Sequence, residues 1–224
     1  MAYTSWDEYW DDVSWNGTED ISNVLTYYDL EEKNTTLTFS SNNDYWSVLS
    51  DIKADYDNPN LTVNMGDGDD AVIVDVDGVG WEQMDLVVDL GSGNDYFRWF
   101  SEGATVNLVL DAGAGDDYVS FDTDDHSSSE DSTGYMEGGT GSDYMAGGRN
   151  KDVMYGDDDD TSVTQDSALD YDDIMYGHSG DDTMYGGYGD DYINGGGDDD
   201  YIDGGDGDDT IEGGDDADTI DGGD

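Results

Sequence analysis

Apolar residues recur at every second position in this chain, in short runs on either side of Gly- and Asp-rich loops. The aspartate at the sixth loop position serves as a marker of phase. Five, seven and nine residues before Asp70 stand Met65, Val63 and Leu61. The same offsets hold Leu90, Val88 and Leu86 before Asp95, and Ala112, Leu110 and Leu108 before Asp117; Phe39 and Leu37 precede Asp44. Two and four residues after the markers come Trp46 and Val48, Val72 and Val74, Phe97 and Trp99, and Val119 and Phe121. A period of two on both sides of a turn predicts strand–turn–strand with one face buried.

The markers Asp20, Asp44, Asp70, Asp95, Asp117 and Asp143 are 24, 26, 25, 22 and 26 residues apart, one coil per gap. Strands stacked in this way form parallel sheets around an apolar interior, the one-dimensional logic of a solenoid. From Gly138 the coil tightens. Repeat starts fall at 138, 147, 156, 177, 186, 195, 204, 213 and 222, every step being nine except the 21 from 156 to 177. That step is nine plus a polar insertion near 158–169, which reads as a loop bulging from one turn. Two nonapeptides make one 18-residue coil, so alternate repeats share a side. One stack contains Asp143, Asp173, Asp191 and Asp209; the opposite stack contains Asp152, Asp182, Asp200 and Asp218. The expected fold is all-β: a right-handed parallel β-solenoid with wide ~24-residue coils over 1–137, continuing without interruption into tighter 18-residue coils over 138–224.

Composition changes the picture in one respect. With 59 acidic residues against 5 Lys+Arg, the formal net charge is −54. Low hydrophobicity with charge of one sign is the signature of a disordered chain, yet here the acids are periodic rather than scattered. Repulsion on this scale opposes compaction, so the folded state needs bound cations. The same charge argues against nucleic-acid partners and anionic membranes, and no apolar run is long enough for a spanning helix. Without cysteine there is neither a disulfide framework nor a thiolate metal site. The start, MAYTSWDEYW, lacks the basic and apolar regions of a signal peptide.

The tight coils read GHSGDDTMY, GGYGDDYIN, GGGDDDYID, GGDGDDTIE and GGDDADTID from Gly177 onward. Five tandem copies of GGxGxDxUx, with U a large apolar residue, resemble the RTX (repeats-in-toxin) calcium-binding nonapeptide family. The resemblance implies a parallel β-roll in which several calcium ions are each held between the loops of stacked coils. It also implies a secreted, extracellular or cell-surface protein. The chemistry suits it. Glycine at the first, second and fourth positions permits positive φ and a sharp turn that aims carbonyls inward. Calcium takes six to eight oxygen ligands, and one loop supplies about half a shell. The candidate metal ligands are Asp70, Asp95, Asp117, Asp143, Asp152, Asp173, Asp182, Asp191, Asp200, Asp209 and Asp218. Met65, Leu90 and Ala112 replace the first glycine of the three upstream loops, and Asn150, Asp198 and Asp216 replace the fourth glycine elsewhere. At Asp44 and Asp20, where Asn42 and Thr18 hold the fourth position, ordinary turn chemistry is the better reading.

Other chemistry finds little support. The segment from Asp75 to Gly80 begins like an EF-hand loop but has Val79 and Leu86 where ligands belong. His126 lies in a Ser- and Asp-rich loop with no nucleophile elbow, and His178 replaces a repeat glycine. No catalytic residue or organic cofactor is assigned, and a solenoid through most of the chain leaves no room for a catalytic domain. Tyr96, Tyr118, Tyr144, Tyr155, Tyr176, Tyr185, Tyr192 and Tyr201 sit at outward positions, either as cross-strand stabilisation or as a contact face for a cell surface or carbohydrate. Two functions compete: a noncatalytic structural protein such as a surface-layer, adhesin or filament subunit, and the calcium-dependent folding or secretion module of a larger RTX hydrolase. Gly222-Gly223-Asp224 is no polar cap, so the half-site at Asp218 is expected to accept the Trp6–Trp15 segment of another copy, head to tail.

Overall fold

In the computed structural model the described residues are 24–26, 34–39, 41, 44–49, 60–77, 84–102, 105–121, 132–157 and 171–223. The segment Trp6–Trp15, Asp20, His126 and the insertion near 158–169 lie outside them. The chain runs through β1 (Val24–Thr26), β2 (Asn34–Thr38), β3 (Tyr45–Leu49), β4 (Asn60–Asn64), β5 (Ala71–Asp77) and β6 (Met84–Asp89). It continues with β7 (Tyr96–Glu102), β8 (Val106–Ala114), β9 (Tyr118–Ser120), β10 (Thr133–Thr140), β11 (Tyr144–Ala146) and β12 (Val153–Asp157). The last six are β13 (Ile174–Ser179), β14 (Thr183–Tyr188), β15 (Tyr192–Gly197), β16 (Tyr201–Asp206), β17 (Thr210–Gly214) and β18 (Thr219–Asp221).

Odd-numbered strands form one nine-stranded parallel sheet and even-numbered strands another, each pairing in sequence order with the strand one coil away. The molecule is therefore a parallel β-solenoid, and no helix occurs among the described residues. The register agrees with the apolar phase read from sequence. Leu61 and Val63 lie under Leu86 and Val88, which lie under Leu108 and Leu110. On the other sheet Val72 and Val74 lie under Phe97 and Trp99. Both sheets pass through residues 137–138 with pairing unbroken, β8 to β10 and β9 to β11.

The interior is one apolar column that narrows along the chain. The coil from β6 to β7 buries Met84, Leu86, Val88, Leu90, Phe97 and Trp99, whereas that from β14 to β15 buries only Met184 and Ile193. Shortening the coil to 18 residues thus leaves one inward apolar side chain per strand. The loops joining the strands consequently matter more in the second half.

Candidate metal centre

Each tight loop is built from the backbone upward. In Gly186–Asp191 the second and fourth glycines, Gly187 and Gly189, have φ of 110° and 119°, which turns the chain within six residues. Gly186 is required for a different reason. A Cβ there would run into Asp191 Oδ2 and the carbonyl oxygen of Gly204 in the next coil. The same pair of acceptors, the loop's own Asp Oδ2 and the next coil's glycine carbonyl, meets at Gly138 (2.5 Å to each from where a Cβ would lie), Gly156, Gly177 and Gly195. Two oxygen acceptors thus face one another where a side chain would otherwise stand.

The sixth-position aspartates form ladders. Asp44 N–H donates to Asp70 Oδ1 (2.6 Å), Asp70 N–H to Asp95 (2.7 Å), Asp95 N–H to Asp117 (2.7 Å), and Asp117 N–H to Asp143 (2.8 Å). The series continues from Asp143 to Asp173 (2.8 Å), Asp173 to Asp191 (2.8 Å) and Asp191 to Asp209 (3.0 Å). On the opposite side Asp152 donates to Asp182 (2.7 Å), Asp182 to Asp200 (2.9 Å) and Asp200 to Asp218 (3.1 Å). These are the two stacks expected from the 18-residue period, and every candidate ligand takes part in one of them. Asp44 also joins, buried to 1% exposure, although its loop departs from the glycine pattern.

A second set, missed in the sequence reading, runs in the opposite sense at the fifth position. Asn94 N–H donates to Asp69 Oδ1, Asp116 to Asn94 and Ser142 to Asp116. Asp190 donates to Asp172, Asp208 to Asp190, Asp199 to Asp181 and Ala217 to Asp199. Backbone N–H groups in a tight loop have no strand partner and must find acceptors. Consecutive acids meet that need, one reaching to the coil before and the next to the coil after. The recurrent Asp-Asp pair was the available signal, but its exposed member reads as a solvated charge.

The inner ladder has spare oxygens. Oδ2 of Asp70, Asp95, Asp117, Asp143, Asp173, Asp182, Asp191, Asp200 and Asp209 is buried without a hydrogen-bond partner. An ionised carboxylate so placed is costly, and protonation or a counter-charge relieves it. Burial accordingly pushes the carboxyls up: Asp70 to about 6, Asp117 and Asp191 to about 7, Asp95 and Asp143 to about 8, Asp182 to about 9 and Asp173 to about 10. Asp200 moves in the same direction. Backbone donors oppose the rise and neighbouring ladder carboxylates add to it. A divalent cation beside Oδ2 and the glycine carbonyls would remove both the orphaned acceptor and the repulsion. The donor set, all oxygen, fits a hard cation.

Three places break the pattern. Asp152 has both oxygens satisfied, accepting from Gly134 N–H and Gly148 N–H at 2.6 Å each. Its loop, Gly147–Asp152, contains no positive φ and carries Arg149 and Lys151, two of the chain's five cations. At Gly147 the usual pair of acceptors still meets, with Asp152 Oδ2 at 2.7 Å and Gly177 O at 3.0 Å from where a Cβ would lie, so Asp152 differs from the other candidates in the Gly148 N–H that already occupies this oxygen. At the coil with the insertion, Asp157 takes the second loop position, and its Oδ2 accepts the N–H of Tyr188 (2.6 Å) in place of a loop carbonyl. Elsewhere non-glycine residues accept the left-handed conformation: His178, Asp198 and Asp216 have φ of 75°, 78° and 76°. Asn150 does not.

Among the described residues no three His, Cys, Asp or Glu side chains converge on one point. That agrees with loops that each offer carbonyls and a single inward carboxylate. The family model of the RTX calcium-binding nonapeptide repeat (four copies) matches residues 133–163, 167–202 and 194–224. The tight coils of this chain are therefore RTX calcium-binding nonapeptide repeats. No curated protein and no solved structure matches the chain.

Proposed function

We propose that this chain is a calcium-folded, noncatalytic structural protein of the extracellular space, secreted or attached to a cell surface. Its ligands are the ladder aspartates Asp70, Asp95, Asp117, Asp143, Asp173, Asp182, Asp191, Asp200, Asp209 and Asp218, holding several ions between coils. The observation that carries the reading is the run of buried, partnerless Oδ2 atoms, which in the tight coils meet the glycine carbonyls of the next coil. Each ion cross-links two coils and cancels two negative charges. Sites made by stacking cannot exist in the unfolded chain, so ion binding is folding free energy.

The segments 1–137 and 138–224 act in this reading as two parts of one rod, the first stabilised mainly by its core and the second mainly by ions. A continuous solenoid with unbroken sheet pairing suits a surface-layer, adhesin or filament subunit, including head-to-tail assembly of copies. The second reading, a folding or secretion module of a larger RTX hydrolase, draws on the same repeats; the apolar core of the wide coils favours the first. Carbohydrate contact through the tyrosines is less well supported. Tyr96, Tyr118 and Tyr144 stack on one another at 5.0 and 4.7 Å with planes within 7° and 2°. Such a column presents ring edges rather than the open faces a sugar platform uses.

Circular dichroism of the chelated protein during a calcium titration tests the core claim. A cooperative gain of β signal with calcium, and little with magnesium, is expected. A spectrum indifferent to calcium would refute it. Light scattering in the same titration reports assembly, and a calcium-loaded protein that stays monomeric would remove the filament reading alone.

A further inference from the structure

Outside the loops, the outer face of the even-numbered sheet carries an arrangement the calcium chemistry does not use. Two adjacent columns of outward side chains run across β10, β12, β14 and β16. One reads Tyr135, Val153, Thr183, Tyr201; the other reads Glu137, Tyr155, Tyr185, Asp203. The tyrosines change column twice. Tyr155 and Tyr185 stack in register at 4.8 Å and 10°, but Tyr135 and Tyr201 join them diagonally at 5.7 and 5.8 Å with planes turned by 47° and 53°. The result is an arc of four rings around a low floor of Val153 and Thr183, with a carboxylate at each end. Tyr201 is 36% exposed, and the remaining rings and the floor are partly exposed.

Diagonal joins occur on the other sheet as well, where Tyr144, Tyr176 and Tyr192 follow one another at 5.8 Å with planes turned by 42° and 53°, but the column of Tyr176 there runs from Ala146 to Glu212 and has a carboxylate at one end only. The even-numbered sheet has a carboxylate at both ends of its tyrosine pair, Glu137 before Tyr155 and Asp203 after Tyr185. Tyrosine faces attract cations, and Glu137 is held beside Tyr135 by a 2.6 Å hydrogen bond from the phenol. Glu137 and Asp203 are three strand spacings apart, about 14 Å at ~4.8 Å per strand. In an extended peptide, residues i and i+4 are about 13 Å apart at ~3.3 Å per residue.

We propose that this arc is a docking site for an extended basic peptide segment of a partner protein, lying along the solenoid axis. Two Lys or Arg side chains four residues apart reach Glu137 and Asp203, the backbone between them lying over Val153 and Thr183 beside the rings of Tyr155 and Tyr185. The net charge of −54 draws such a segment in from a distance, and the arc selects its spacing. The site is independent of the metal ligands, although the coils that carry it must be folded.

The test uses the full chain in saturating calcium and a labelled pentapeptide with arginine at both ends and alanines between, read by fluorescence anisotropy. Tyr155→Ser combined with Tyr185→Ser should weaken binding roughly tenfold, the sum of two surface cation–π contacts. Glu137→Gln should weaken it several-fold and flatten its salt dependence, and it decides the matter should the double variant not fold. An isomeric peptide with its arginines adjacent should bind more weakly, and Tyr118→Ser on the opposite face should bind as the wild type does. No measurable binding, equal binding by Glu137→Gln, no preference between the peptides, or equal loss in Tyr118→Ser would each overturn the proposal.

Discussion

Replacing Asp182 by Asn should change stability in opposite directions with and without calcium. Asp182 is 1% exposed; its Oδ1 accepts from Asp152 N–H at 2.7 Å and its Oδ2 has no partner. Asn keeps the carbonyl acceptor and the shape but removes the charge. In the cation-free fold burial raises the Asp182 carboxyl from 3.8 to about 9. At pH 7 the folded chain must therefore take up a proton the unfolded chain does not hold. At 1.36 kcal/mol per pH unit, the interval from 3.8 to 7 amounts to about 4 kcal/mol against folding, and to ~2 if solvent screens half of it. Asp182→Asn removes that cost, so the chelated variant should be the more stable by about 2–4 kcal/mol. With calcium the sign reverses. An ion at a hundred times its dissociation constant contributes ~2.7 kcal/mol to the native state, and the variant forfeits it. Folding of the chelated proteins can be driven with sucrose or TMAO and followed by circular dichroism. The variant should need less osmolyte than the wild type, yet melt at lower temperature in calcium. A variant weaker in both conditions, or unchanged in calcium, would refute the assignment of the orphaned oxygen to a cation.

Four further outcomes follow from the same ladder. Carboxyls raised by folding contribute stability that is complete below about pH 4 and lost as pH climbs through their folded values, here about 6 for Asp70 to about 10 for Asp173; the chelated chain should thus gain β structure at pH 3.5 and lose it at 7.5, seen by circular dichroism. Gly186→Ala puts a methyl group into Asp191 Oδ2 and Gly204 O and should cost at least ~2 kcal/mol with one calcium ion lost by calorimetry. Gly197→Ala, whose Cβ would meet only His178 O at 3.9 Å, should bind as the wild type does. Asp152→Asn leaves one oxygen to serve two buried N–H donors, Gly134 and Gly148, a cost of about 1–3 kcal/mol set against relief of the burial that pushes the Asp152 carboxyl up to about 7, so denaturant titration should show the same difference from the wild type with calcium and without it.

How much of this was legible in the sequence depends on whether the cause is local or lies one coil away. The apolar alternation around Asp70, Asp95 and Asp117 fixed strand phase, and the constant offset from the marker fixed register, so that Leu61, Leu86 and Leu108 stack as their spacing required. The nine-residue period likewise separated the two aspartate stacks. What could not be read is which atom answers which. Asp69 and Asp116 look like solvated charges until their oxygens are seen to cap N–H groups in the following coil. Asp152 fits the motif, yet its own loop closes on it through Gly148. Asp44 does not fit the motif, yet its N–H needs only the carboxylate above it. The tyrosine arc was hidden for the same reason: Tyr135, Tyr155, Tyr185 and Tyr201 are outward by phase, but only the register reveals that they occupy two columns.

The two halves of the rod solve one problem by different means. Fully burying a large apolar side chain contributes roughly 1.5–3 kcal/mol. The six buried in the β6–β7 coil therefore supply about three times what Met184 and Ile193 supply in the β14–β15 coil. Both coils place a buried aspartate over the preceding loop, Asp95 on Asp70 N–H and Asp191 on Asp173 N–H, because the N–H groups of a tight turn need an acceptor that neither strand provides. In the wide coil the core outweighs the buried carboxylate. In the narrow coil only two such side chains stand against the same buried carboxylate, unless an ion neutralises it. In the proposed reading the nonapeptide exchanges core for cation. On that reading dependence on calcium should deepen along the chain from Leu61 toward Ile202, as the apolar column thins and the loops take over the work of joining one coil to the next.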